Sequence, residues 1–406
     1  MFKFQNIPYN WRKFISYSLV ALASSVLTTV LLIVFGSSTV INYSSTGNYD
    51  QGMLKLQEVY NIIQEQYIGE ADEEAMIDAA AQALVLATGD QWSYYMNAEE
   101  YAYYKQITGN SYEGIGVTVD DSQMEKGFLI TGVEPEGGAA AAGIQIGDYI
   151  THVEGKAVHN MATSEAQGMI RGQAGTKVKL TINRNGTSMD LEVSRGITTT
   201  TVATGQLLEG NVGLVTIVNF NERCYQETVA AIESLKNQGA TSLIFDVRNN
   251  PGGYKSELVE VLDYLLPKDK ELFRSELYNG VKEVDRSKKD QQCDLPVVVL
   301  INADSYSAAE FFAAALVEYD RAITVGEHTT GKGYFQTNIE LSDGSAVHLS
   351  IGKFSTPNGV NLAEVGGIAP THEVKLTKEQ AEALAAGTLA PKDDPQIQKA
   401  VAELLK

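Results

Sequence analysis

A lysine between two glycines, Lys332 in GEHTTGKGYFQ (residues 326 to 336), is where chemistry first shows in this chain. The spacing approaches the phosphate loop GxxxxGK[ST], in which backbone N–H groups cradle phosphates and the lysine reaches their outer oxygens. Gly333, however, stands where the Mg²⁺-holding hydroxyl belongs, and the following YFQTNIEL has the composition of a strand rather than a helix. A second use of the amine is as a base. Deprived of water among uncharged neighbours, a lysine falls from about 10.4 toward roughly 7 to 8 and can take a proton from a serine hydroxyl. Gly331 and Gly333 let backbone approach and leave little bulk around the amine. Gln336 could orient it by a hydrogen bond without holding it protonated as a carboxylate would. For an isolated lysine, a solvated surface cation is the plainer assignment.

Ser307 lies between LPVVVLINADSY and AAEFFAAALVEY, a strand-to-helix junction that places a side chain at the mouth of a sheet. The helix start contributes free N–H groups and positive potential there, which suits a nucleophile. Ser307-Ala308-Ala309-Glu310 is also an S-x-x-E capping box, in which the serine only closes the helix end. Spacing leaves both assignments open. Donors for an oxyanion are offered by DVRNNPGG (residues 246 to 253), a strand ending in a Gly-Gly turn, so that Gly253 and the amide of Ala308 are the candidates. His328 and His348 offer an alternative base, as in a serine-histidine hydrolase.

The elements that must position these groups follow from periodicity. Over residues 197–380, NVGLVTIVNF, TSLIFDVRNN and LPVVVLINA alternate with helical CYQETVAAIESLKNQG, KSELVEVLDYLL and SAAEFFAAALVEY, which predicts an α/β layer with parallel strands. A helical segment, 381–406, ends the chain. Residues 112–196 form a small β module of short alternating strands and one helix, SEAQGMIRG. Ahead of it, 37–111 holds a polar linker and two helices whose apolar stripes need cover either from the rest of the chain or, in a homo-oligomer, from a second copy. Residues 14–36 are uncharged, mostly apolar and long enough to span about 30 Å of hydrocarbon. With Lys3, Arg12 and Lys13 in residues 1–13 before them, they predict an uncleaved single-pass membrane anchor, the catalytic region lying outside the cytoplasm; a cleaved signal peptide is the rival, for which the apolar stretch is long and lacks a clear A-x-A site after it. The 406 residues include 51 acidic and 31 basic ones, a net charge of −20 that repels nucleic acid. Cys224 and Cys293 are far apart with no metal-binding spacing, and no metal or cofactor is implied.

YEGIGVTV, AAAAGIQIGDYITHVEGKAV and RGQAGTKVKLTINRNG together resemble a PDZ domain. The resemblance implies that Gly114, Ile115, Gly116 and Val117 form the loop that catches a terminal carboxylate while the peptide adds as a strand. VVVLINADSYSAAEFFAAALVEYDRAITVGEHTTGKGYFQT resembles the catalytic segment of the C-terminal processing peptidases, the tail-specific serine proteases. DVRNNPGG, SDGSAVHLSIGKFSTPNGV, VGGIAPTHEV and DDPQIQKAVAELL read like counterparts too. That family would make Ser307 the nucleophile, Lys332 the base and Gln336 their third member, acting on proteins or peptides with accessible C-termini. The implied fold class is α/β and β multidomain: a transmembrane helix, a helical segment, a PDZ-like module and a protease core layered as in crotonase and the Clp protease. Ala309, Thr330 and TGDQWSYYM (residues 88 to 96) depart from the family wording. Ile170-Arg171-Gly172 matches a segment whose arginine can gate activity, which makes Arg171 a regulatory candidate. A catalytically silent peptide-binding scaffold is the non-enzymatic alternative.

Overall fold

A computed structural model describes residues 49–120 and 122–406. The chain divides after Met76 into two units. The first contains the helix Tyr49–Gln66 and the opening turn of Glu73–Leu86, where Glu73 and Glu74 face the positive end of the helix. These are the two helices expected before the β module. Met53, Leu54, Val59 and Ile62 of the first helix are exposed.

The fold class read from the sequence needs one correction. Among the described residues no helix is long and apolar enough to cross a membrane. The 18-residue helix Tyr49–Gln66 would fit by length, but Lys55, Glu58 and Glu65 interrupt it, and burying charge in hydrocarbon is costly. The span expected over residues 14–36 lies outside the described residues. The architecture of the described residues is therefore mixed α/β and multidomain, built from a PDZ-like module and a protease-like core.

In the second unit, the β module is an antiparallel sheet in the order 117–120, 128–133, 149–153, 177–184, 187–194. Period-two alternation drives it: Val178, Leu180 and Ile182 of Lys177–Arg184 turn inward, and with Ile115, Phe128, Ile130 and Ile150 they form a core of their own. The helix Thr163–Ile170 lies beside it. Chain entry and exit pair with each other, Ser111–Gly114 running antiparallel to Gly196–Thr199.

The core beyond is a six-stranded sheet in the order 203–208, 212–217, 242–246, 297–301, 322–326, 372–373, antiparallel at its first pair and parallel thereafter. Val297–Ile301 is buried throughout, because helices cover both faces of the sheet. Cys224–Asn237, Lys255–Leu265 and Ala308–Glu318 supply the larger apolar cluster. Ile397 and Ala400 of the last helix, Pro395–Leu404, meet Leu214, Ile244, Val298 and Val325 on the other face. A second sheet pairs Ala346–Ser355 with Tyr334–Glu340, Tyr94–Met96 and Glu271–Leu277, and Lys282–Arg286 extends it. Strands 242–246 and 297–301 run in parallel, so the turns after their carboxyl ends, DVRNNPGG and NADSYS, emerge side by side.

Candidate active site

Those two turns are stitched together by hydrogen bonds. The Asn249 N–H donates to Asn302 Oδ1 at 2.9 Å, the Asn302 amide returns one to Asn249 Oδ1 at 2.7 Å, and Ser305 Oγ donates to the Val247 carbonyl at 2.7 Å. Tyr306 N–H reaches the Asn250 carbonyl at 3.2 Å. Ser307 follows with φ 58° and ψ −121°. An ordinary capping serine has extended backbone; a serine at positive φ is strained, and such strain is found where a sharp turn must present a side chain. Ser307 heads the helix Ala308–Glu318, whose first N–H has no partner within the helix.

Glu310, fully buried in the first turn of that helix, explains how the serine segment meets the lysine segment. Its Oε2 accepts from the Ser307 N–H at 3.0 Å and from the Lys332 N–H at 2.9 Å. Its Oε1 accepts from the Gly331 N–H and from Thr329 Oγ, each at 2.6 Å. One carboxylate oxygen therefore holds both backbones, which lie no farther apart than those two bond lengths together. The sequence showed Glu310 only as half of a capping box, and its longer reach to residues 329–332 gave no local signal.

The Gly-Gly turn presses on the same spot. A Cβ on Gly252 (φ 91°) would stand 2.8 Å from both the Ala308 nitrogen and Ser307 Cβ, so only glycine fits. Phe220 bonds on either side of Gly253, its N–H donating to the Gly252 carbonyl and its C=O accepting from Tyr254, each at 2.7 Å. In that bridge the Gly253 N–H is not used and points away from Phe220. Behind the turn, Arg248 is buried between Asp246 (2.5 Å) and Asp394 (2.8 Å) and also donates to Gln396 Oε1 at 2.7 Å. This ionic clip was not found from the sequence, because its parts belong to distant segments.

A strand, Tyr334–Glu340, follows Lys332, so the helix of a phosphate loop is absent there. The Lys332 amine lies 4.5 Å from the centroid of the Trp92 ring and 5.9 Å from that of Tyr306. Burial lowers it from its ordinary value to about 8, against the opposing pull of Asp90 and Glu310. Among the described residues no hydrogen bond joins this amine to the Ser307 hydroxyl. Nor does Gln336 orient it: the Gln336 amide donates to Ser350 Oγ at 2.9 Å and to the Tyr334 carbonyl at 3.3 Å. Trp92 was met in the sequence only as a departure from family wording.

The two histidines fall elsewhere. His328 is exposed and its Nδ1–H donates to the Thr329 carbonyl at 2.9 Å. His348 donates from Nδ1 to Asn338 Oδ1 at 2.7 Å and stacks on Tyr94. Burial and the nearby Lys332 charge push it down to about 4, so it is neutral at pH 7. Among the described residues neither ring bonds to Ser307.

In the β module, strand 117–120 is the sheet's free edge. Ala139 N–H donates to the Ile115 carbonyl at 2.8 Å and Glu134 N–H to the Gly116 carbonyl at 2.9 Å. Across trans peptide planes, the Gly116 and Val117 N–H groups then point the opposite way, toward the open edge. Gly114 precedes them, and the Ile115 side chain is buried beneath. Arg171 follows the helix Thr163–Ile170 and lies over the Tyr112 ring, 5.5 Å from its centroid. Among the described residues no cluster of His, Cys, Asp and Glu could hold a metal ion.

Residues 211–374 match the family model described as peptidase family S41, residues 105–183 that of the PDZ domain, and residues 36–100 that of the activating protease CtpB N-terminal domain. The carboxy-terminal processing protease CtpA of Bacillus subtilis is 34% identical over 361 residues, 89% of this chain and 77% of that protein. CtpB of the same organism is 31% identical over 355 residues, 86% of this chain and 72% of the other. Among solved structures, the photosystem II D1 C-terminal processing protease shows a TM-score of 0.47 at 26% identity, over 80% of this chain and 87% of that one.

Proposed function

Because this chain belongs to peptidase family S41, the carboxy-terminal processing serine proteases, we propose that it cleaves near the C-terminus of protein substrates with a Ser307–Lys332 dyad. The observation that supports the dyad is the shared acceptor: Glu310 Oε2 receives both the Ser307 and the Lys332 N–H. The strained backbone of Ser307 and the dehydrated amine add to it. In the reaction, neutral Lys332 takes the hydroxyl proton as Ser307 attacks the peptide carbonyl. The Gly253 and Ala308 N–H groups stabilise the oxyanion, and the lysine ammonium then delivers its proton to the leaving amine. The amine must leave the aromatic faces and turn to the hydroxyl for the first step. A carboxylate captured at Gly114–Val117, with the tail added to strand 117–120, turns the encounter into an oriented reaction. Gln336 belongs to this reading as a support of the lysine loop, and Arg171 as a contact between the PDZ helix and the ribbon that carries the module.

The test is a fluorinated phosphonate probe with mass spectrometry, beside cleavage of a tailed peptide. The adduct is expected on Ser307, and both Ser307→Ala and Lys332→Ala should lose cleavage by a factor of about 10³ or more. Retained cleavage in Lys332→Ala would return the base to a histidine.

A further inference from the structure

The Lys332 amine has a roof, and the roof is fastened. Trp92 lies over it and contacts Tyr306, their centroids 6.0 Å apart. A chain of hydrogen bonds holds the turn that carries the indole. Gln336 Nε2 donates to Ser350 Oγ (2.9 Å), the Ser350 N–H donates to Ser93 Oγ (2.9 Å), Ser93 Oγ donates to Asp90 Oδ2 (2.5 Å), and the Trp92 N–H donates to Asp90 Oδ1 (3.1 Å). Ser93, at the centre of this chain, is buried and the residues on either side of it are half-buried. Gln336 is thereby linked to the lysine through four residues of another sheet strand and turn, without touching it.

We infer that Trp92, fixed by the chain Gln336–Ser350–Ser93–Asp90, is a positioning residue of the proposed dyad: its indole keeps water from the Lys332 amine and sets the amine's resting place. This rests on the dyad reading above. Two effects of the ring oppose each other. Its electron-rich face favours the ammonium, whereas its bulk excludes the water that the ammonium requires. Charged and titratable groups facing the amine are Asp90 on the Trp92 turn, Glu310 on the Ser307 helix, Tyr306 before it, and His348 on Ala346–Ser355. Asp90 and Glu310 favour the ammonium, yet the amine lies below its ordinary value, so exclusion of water outweighs attraction. Removing the indole readmits water and leaves both carboxylates in place.

The experiment reads the lysine itself. Full-length protein is lightly acetylated with acetic anhydride across a pH series, and acetylation of the Lys332 peptide is quantified by mass spectrometry; the pH dependence of peptide cleavage is measured in parallel. Trp92→Ala is expected to raise the Lys332 midpoint by about one unit or more, Gln336→Ala to raise it part of the way, and Trp92→Phe to stay within about half a unit of wild type. The acid limb of the rate profile should move with it. A Lys332 midpoint unchanged in Trp92→Ala overturns the inference, as does a rate loss equal at every pH. If the acetylation midpoint moves and the rate profile does not, the roof stands and the dyad falls. Should Trp92→Ala fail to fold, Gln336→Ala decides by the same reading.

Discussion

At the scale of single residues, the site keeps a lysine in a place that costs the fold something. The Lys332 amine is lowered to about 8, below the roughly 10.4 of an unfolded chain, so between these values the unfolded state binds more protons than the native state. The native state therefore gains stability as pH rises from about 8 toward 10. Below that range both states carry the ammonium and the native state bears the cost of burying it. Lys332→Met, which keeps most of the stem, should stabilise the protein by about 1–3 kcal/mol at pH 7, with the gain shrinking toward pH 10, as read by urea denaturation at several pH values. An equal or smaller stability at pH 7 would mean that the amine is solvated. Glu310 carries the opposite burden. Its four donors all need an acceptor, and Glu310→Gln turns an NH₂ group toward N–H groups. A stability loss of about 2–4 kcal/mol and a fall in kcat of about 10² or more are expected, with peptide binding to the PDZ domain unchanged in titration. Ser307 and Lys332 were legible because their surroundings are contiguous: a strand-to-helix junction and a Gly-Lys-Gly loop. Trp92 and Asp90 were not, since what matters about them is a contact that only the fold creates.

At the scale of elements, legibility follows the same division between local pattern and distant partner. Val297–Ile301, Ala308–Glu318 and Lys177–Arg184 declare themselves by apolar runs, helical spacing and alternation. The hairpin of Glu271–Leu277 and Lys282–Arg286 did not, because ELFRSEL and KEVDR are polar at most positions and gain their strand character from pairing, Glu271–Leu277 with Ala346–Ser355 and Lys282–Arg286 with Glu271–Leu277. The last helix was legible as amphipathic, but the face it covers and the clip that holds it were not. Asp394 caps this helix, accepting from the Gln396 and Ile397 N–H groups, and its other oxygen meets buried Arg248. Arg248 lies at the start of the turn that carries Gly252 and Gly253, so one carboxylate joins the helix to the turn proposed to hold the oxyanion. Asp394→Ala leaves a guanidinium buried with half its charge partners and should cost about 3–5 kcal/mol. Hydrogen exchange should show the C-terminal helix opening first, and labelling of Ser307 by the phosphonate should slow. If the helix kept its protection in Asp394→Ala, apolar contacts of Ile397 and Ala400 alone would account for its docking.

At the scale of the whole molecule, two apolar cores share no residue. The PDZ core is drawn from residues 115–193 and the larger protease core from residues 202–362. Between them the backbone passes twice, as the ribbon of Ser111–Gly114 and Gly196–Thr199, which ends where the edge strand of the protease sheet is about to begin. Damage to one core should then stay in it, since mutations without shared partners act independently. Ile130 is fully buried at the centre of the PDZ sheet, and Ile130→Ala should destabilise that domain by about 2–5 kcal/mol through lost burial and the cavity left behind. Hydrogen exchange in the full chain should rise across residues 117–194 and stay unchanged in Val297–Ile301 and Ala308–Glu318. The consequence for activity separates capture from chemistry. If the PDZ domain only delivers tails, Ile130→Ala raises KM for a tailed peptide and leaves phosphonate labelling of Ser307 at the wild-type rate. A parallel fall in labelling would show instead that the ribbon transmits order from one core to the other, and that the Ser307 turn depends on a folded PDZ domain for its geometry.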